Sequence, residues 1–271
     1  MTLEEYIKNP MGSSVMTNRQ VYYNMYSEKW NTIRLRENGL IIYTLYKGNE
    51  DYFIHFKIPS EVVPKFYYDT ILRFYPPKNG KEEAIKSRTL NNYDVQFYSN
   101  DPSFCFTFAH AFNKNGLFIK DLESKMIEKC LKQKAVEKNP KDEVGYVKSL
   151  YFAYLETKEK GLMLKSKWEV MAKPYSKKVW NIVVEHAYDV VERRQKLGQE
   201  IAEKERKEKK KSENKAKSTG SSSKTYENNF KSPNQSNIGQ FKRTNFNKIA
   251  KIGNIKKGIG HISNPFKSKK K

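Results

Sequence analysis

Leu40 to Tyr75, LIIYTLYKGNEDYFIHFKIPSEVVPKFYYDTILRFY, is the stretch whose reading decides the fold. Leu40–Tyr46 and Tyr52–Ile58 are rich in β-branched and aromatic residues, the composition that suits a pleated, half-buried surface. Between them lies Lys47-Gly48-Asn49-Glu50, residues that tolerate the positive φ of a hairpin turn. Pro59 ends the second strand, and Phe66–Tyr75 reads as a further strand closed by Pro76-Pro77. Working outward, Glu37-Asn38-Gly39 is a second turn signal, which makes Ile33–Arg36 an earlier strand. Lys78–Asn92 reads as an exposed loop, and Tyr93–Tyr98 alternates well enough to be the last strand. Before the strands, Thr17 or Asn18 can cap a helix that runs to about Trp30, with Val21, Tyr22, Met25, Tyr26 and Trp30 on its apolar face. Residues 1–16 read as a loose lead-in with a short helical start.

From Asp101 the period changes to that of a helix. Asp101-Pro102 is a helix start, Phe104, Phe108 and Phe112 recur every four residues, and Gly116 is the stop. Further helices are predicted over Asp121–Val136, from Asn139-Pro140 to Gly161, and from a Ser176 cap along the stripe Val179, Val183, His186, Val190, Leu197, Ile201. The fold class is therefore α+β: a small antiparallel sheet with an amino-terminal helix, then a helical half, then a disordered basic tail. Residues 1–100 and 101–205 form one continuous body, and residues 206–271 form the tail. The charge-dense run Glu203–Lys217 either extends the last helix into solvent or frays.

Charge separates the same two parts. The 271 residues carry 52 Lys and Arg against 30 Asp and Glu, a net +22, and residues 201–271 account for +15 of it with 20 basic and 5 acidic residues. Coding DNA rich in A and T would enrich lysine along the whole chain, but it does not explain why Glu227 is the only acid after Glu213. A polyanion-binding tail does explain it. No apolar run of membrane-spanning length occurs, and the acidic start MTLEEYIKNP is no secretory signal. Two cysteines, Cys105 and Cys130, make no disulfide framework, so a reducing compartment is expected.

Residues with catalytic potential are few. No phosphate-cradling glycine loop is present. Cys105 and His110 lack the second ligand pair that a zinc site needs, so no metal is expected. Cys105 sits in the apolar run Phe104-Cys105-Phe106, which raises a thiol pKa and keeps it inert. His186 lies on an apolar helix stripe and reads as a core or interface histidine. Glu123-Ser124-Lys125, with Asp94 or Asp101 upstream, has the letters of a metal-dependent nuclease motif, but it falls in a helical pattern where that chemistry uses a strand. The expectation is a non-enzyme with no cofactor and no small-molecule substrate.

The tail carries the binding signal. Phe230-Lys231, Phe241-Lys242-Arg243, Phe246-Asn247-Lys248 and Phe266-Lys267 each pair an aromatic ring with a nearby lysine. Lysine neutralises phosphate with release of counterions, and a phenyl ring stacks on an unpaired base. The candidate nucleic-acid contacts are Phe241, Lys242, Arg243, Phe246, Lys248, Lys251, Lys256, Lys257, Lys267, Lys269, Lys270 and Lys271. Ile252, Ile255, Ile259 and Ile262 recur near a helical period, as in membrane-surface helices, but Lys251 falls on or beside that stripe and Gly253, Gly258 and Gly260 oppose helix. The same isoleucines and phenylalanines could instead dock in grooves of a partner protein.

Met1–Gly12, Lys57–Asp69, Phe97–Leu117 and Glu137–Leu155 resemble stretches of a virion-associated protein family of tailed bacteriophages with AT-rich genomes. The resemblance covers the body and not the tail. It implies a setting in the virion or the host cytoplasm, with a structural or DNA-associated role and other virion proteins as partners. The alternative is a free, sequence-nonspecific DNA- or RNA-binding protein with no virion role.

Overall fold

Tyr26, Trp30 and Ile33 are spaced four and three residues apart, so a helix places all three on one side, where each is buried. Ile33 and Arg34 therefore continue the amino-terminal helix, so the strand expected over Ile33–Arg36 does not begin there, and Leu35 and Arg36 lie outside the described residues: helical period prevails over β-propensity. The computed structural model describes residues 1–8, 19–34 and 40–219. Two helices, α1 (Leu3–Lys8) and α2 (Arg19–Arg34), precede the sheet.

The other four predicted strands form, as β1 (Ile42–Lys47), β2 (Tyr52–Pro59), β3 (Tyr67–Tyr75) and, after the short helix α3 (Lys81–Lys86), β4 (Asp94–Ser99). All three pairings among them are antiparallel. A two-residue fifth strand, β5 (Lys173–Pro174), runs parallel to β1, so the sheet is mixed, in the order β4-β3-β2-β1-β5. The expected exposed loop Lys78–Asn92 contains α3 and buries Ala84 and Leu90. Strands β2 and β3 are buried on both faces, which is why they read as nearly continuous apolar runs.

One sheet face carries Ile54, Phe56, Thr70, Leu72, Val95 and Phe97 and meets the first helices and α6 (Lys148–Glu159). Here Phe97, Phe104, Phe112 and Tyr6 pack ring against ring at 4.6–5.9 Å. Phe104 and Phe108 bound a π-helical turn that leads into α4 (Ala109–Lys114), and Gly116 closes that helix at φ 70°. Two tyrosines stitch the far ends of the chain together: Tyr6 donates to the Gly145 carbonyl and Tyr146 to the Ile7 carbonyl, each at 2.9 Å. The opposite face carries Phe53, His55, Asp69, Ile71 and Arg73. It meets Trp180 of α8 (Lys177–Val183), whose ring stands edge-on to Tyr46 and Phe53.

Three predicted helices are shorter than expected, each for a local reason. Asp121–Val136 divides into a 3₁₀ turn (Lys120–Lys125) and α5 (Glu128–Lys132). Leu131 is nine residues beyond Leu122, on the far side of any continuous helix, and the break turns both inward to burial. The helix expected from Asn139-Pro140 begins only at Lys148. Asn139 spends its side chain on a turn, accepting the Glu143 N–H at 3.0 Å and donating to the Thr107 carbonyl at 3.2 Å. The helix expected from Ser176 is cut at Val184–His186 into α8 and α9 (Ala187–Thr219). Residues 206–219, which the sequence assigned to the tail, are thus helical; the disorder expected farther on falls outside the described residues. Helix α7 (Lys165–Met171) was not anticipated, because Trp168 is its only buried residue and shows no periodicity.

Of the residues whose periodicity predicts one shared core, Phe104, Phe108, Phe112 and Tyr151 are buried together and Leu155 and Val183 are half-buried at its edge, whereas Val190 is buried in a separate group with Val63, Phe66 and Tyr68. A Cβ at Gly145 would lie 2.7 Å from the Phe108 ring. Phe108→Ala is expected to lower stability by on the order of 3 kcal/mol in urea unfolding. Gly145→Ala alone should also destabilise, and it should cost less in the Phe108→Ala background, where the ring is gone. Strict additivity of the two changes would refute the close approach.

Candidate nucleic-acid interface

Every nucleic-acid contact predicted from sequence (Phe241, Lys242, Arg243, Phe246, Lys248, Lys251, Lys256, Lys257, Lys267, Lys269, Lys270, Lys271) lies outside the described residues. The basic segment's entry does lie within them: it is the second half of α9.

Helix α9 starts where a buried carboxylate opens the chain. Asp69 on β3 is buried and accepts from His55 Nε2 at 2.7 Å, from Asn100 Nδ2 at 2.9 Å, from the Glu185 N–H at 3.2 Å and from the Lys57 ammonium. Drawing the Glu185 amide to the sheet leaves no intrahelical place for it, so α8 ends and α9 begins. His186 then caps the new helix, its Nδ1 accepting the Tyr188 N–H at 3.1 Å. Burial alone would raise the Asp69 carboxyl, but the His55 hydrogen bond and charge, with the Lys57 charge, outweigh it and hold the group below the usual aspartate value.

The first half of α9 is moored to the loop between β2 and β3. Val190 is buried with Val63, Phe66 and Tyr68, and Leu197 and Ile201 pack against the same group. Arg193 lies over the Phe66 ring at 4.4 Å and is paired with Glu185 at 2.5 Å. The loop is itself built: Ser60 Oγ accepts the Val62 and Val63 N–H groups, and the Ser60 N–H donates to the Phe66 carbonyl at 2.7 Å.

After Ile201 the helix is exposed on all sides through Glu213. At 100° per residue, Lys204, Arg206, Lys207, Lys210 and Lys211 fall within an arc of about 160°, shared with Glu203 alone among residues 203–213, while Glu205, Glu208, Lys209, Ser212 and Glu213 lie on the other side. This basic face escaped the sequence reading, which treated 203–217 as an undivided charge run. The signal that reveals it is the helical period of charge, which counts for nothing until the helix is known to continue.

The other candidate residues have structural partners. Cys105 is buried and its thiol is pushed well up by burial; Cys130 is raised to about 11 for the same reason. Glu123 and Lys125 lie in the 3₁₀ turn, on a different cleft from Asp101, and Lys125 donates to the Asn181 carbonyl at 3.2 Å. His110 pairs with Asp142 at 2.7 Å, which steadies a residue held at φ 57°. Among the described residues no group of three or more His, Cys, Asp or Glu side chains is placed to hold a metal ion. Among them, too, no helix is long and apolar enough to cross a membrane.

Because its folded pKa is depressed, the stability Asp69 contributes is complete above the ordinary aspartate range, about pH 4, and is lost as pH falls below it. Asp69→Asn is expected to cost on the order of 3 kcal/mol near neutrality, since it strands the donors around it. Urea titrations at neutral pH and near pH 3 check this: the gap between wild type and variant should shrink on acidification, and an unchanged gap would show that the carboxylate is not what holds the junction.

Comparison of the chain with protein-family models, with curated proteins and with solved structures finds no match.

Proposed function

We propose that the chain is a non-enzymatic, virion-associated structural protein of a tailed bacteriophage whose basic carboxy-terminal segment contacts nucleic acid. The observation that carries this reading is the division of charge: 20 basic residues against 5 acidic ones after residue 200, in a chain whose remainder holds most of the acids. Binding of this kind neutralises phosphates with little regard to base sequence and weakens steeply with salt. The basic face of α9 adds a rigid element to it, since an exposed helix with aligned lysines can follow a row of phosphates. The resemblance of the body to virion-associated proteins supports the assembly half of the proposal. A second reading, a free nucleic-acid-binding protein, is favoured by the location of all the predicted contacts in one continuous segment, which needs no assembly to act.

Fluorescence anisotropy with labelled DNA at several salt concentrations tests the binding. Removal of Asn214–Lys271 should abolish most affinity and leave the body folded, because among the described side chains of α9 the last packed against the body is Ile201. Changing Lys269, Lys270 and Lys271 to Gln should reduce the log–log salt slope by about 2 to 3. Changing Phe241 and Phe246 to Ala should weaken single strands more than duplex, since only unpaired bases offer free faces. Equal binding by full-length and truncated chains would place the site in the body and overturn the proposal. Mass spectrometry of purified particles separates the two readings: a structural protein is retained in them, and a free binder is not.

A further inference from the structure

A cleft of about 210 Å³ lies between the β2–β3 loop, the helical turn that opens at Pro102, and the first half of α9. Ser60, Tyr68, Asp101, Lys148 and Arg194 converge on it. Arg194 Nε is buried and has no hydrogen-bond partner among the described residues. A guanidinium N–H withdrawn from water without an acceptor is costly, so the cleft lacks an acceptor at that point. The carboxylates nearby are already engaged. Glu61 is shared by Lys148 at 2.9 Å and Lys29 at 3.5 Å, and Asp101 Oδ1 accepts the Ser103 N–H at 2.8 Å. Lys148 and Arg194 line the cleft with Glu61 and Asp101, and Lys29 adds a third cation by pairing with Glu61 from outside it. Burial raises the Asp101 carboxyl above its usual value despite that hydrogen bond and the charges of Lys148 and Arg194. The neutral groups are donors as well. Ser60, whose Oγ accepts two backbone N–H groups, and Arg194 both hydrogen-bond the Tyr68 oxygen, and burial raises the Tyr68 phenol so that it keeps its own proton to give.

We propose that this cleft is a binding site for a phosphate group, held by the Arg194 Nε–H and the Lys148 ammonium with the Ser60 and Tyr68 hydroxyls beside them. Arginine and lysine together are suited to a tetrahedral, multiply charged oxyanion. The group can come from free phosphate or from the backbone of a nucleic acid. The site belongs to the body and does not depend on the tail reading: it stands or falls on Arg194, not on residues after Asn214.

Thermal unfolding of the full chain during titration with inorganic phosphate, against potassium chloride of matched ionic strength, tests it. A saturable rise in Tm for the wild type is expected. Arg194→Met should abolish the rise. Lys196→Met, which removes an exposed charge from the same helix outside the cleft, should keep it. Without phosphate, Arg194→Met should melt no lower than wild type, since it relieves an unpaired buried donor; a lower melting point would mean that Arg194 is a structural group and would overturn the proposal. Oligothymidylate binding forms the second arm. A loss of about tenfold or more in Arg194→Met but not in Lys196→Met, with no response to inorganic phosphate, assigns the site to backbone phosphate. If Arg194→Met tracks the wild type in both arms, or if Lys196→Met loses as much as Arg194→Met, no phosphate site exists there.

Discussion

Desolvating a carboxylate is tolerable only when donors replace the water it loses, and Asp69 takes its donors from three separate parts of the chain. His55 and Lys57 come from the neighbouring strand β2, Asn100 from the end of β4, and the Glu185 amide from the junction between α8 and α9. Each of these can satisfy the carboxylate only if the others are in place. A one-residue slip between β2 and β3 would send His55 and Lys57 to the other face of the sheet and leave the anion with half its partners. The register of the meander and the direction in which α9 departs are therefore set by the same group. The helical cover cannot shift on the sheet without breaking a buried ionic network.

That dependence also explains where the sequence was legible. The four strands of the meander, the Asp101-Pro102 helix start and the Gly116 and Gly161 stops rest on local chemistry, namely turn residues, a capping pair and alternation, and the structure holds all of them. The break at Val184–His186 rests on Glu185 giving its amide to a carboxylate 116 residues away, which no local pattern records. The break before α5 is of the same kind: Leu122 and Leu131 each look helical in their own window, and only burial of both reveals that one helix cannot serve them. Ile33 shows the opposite error, a β-branched residue whose company, Tyr26 and Trp30, lay earlier in the chain. For the candidate site, the tail's composition was plain from the sequence, whereas the cleft around Arg194 assembles residues from four distant segments and could not be read from it.

The chemistry of the two parts differs in kind. In the body, many ionisable groups are committed to partners within it: Asp69 to its four donors, Glu61 to two lysines, His110 to Asp142, Glu156 to the Trp30 indole N–H. Such pairing holds a fold together. From Lys204 onward 20 basic residues stand against only four acidic ones in the same stretch. A surplus of that kind is matched only by an external polyanion or by mobile salt.

The exposed half of α9 has an electrostatic consequence. From Ile201 to Ser218 a helix rises about 25 Å, roughly three Debye lengths at physiological salt. Charges that far apart along an exposed rod barely sense one another. Substitutions near Ser218 therefore leave the potential around Ile201 and the body nearly unchanged, and the reverse holds as well.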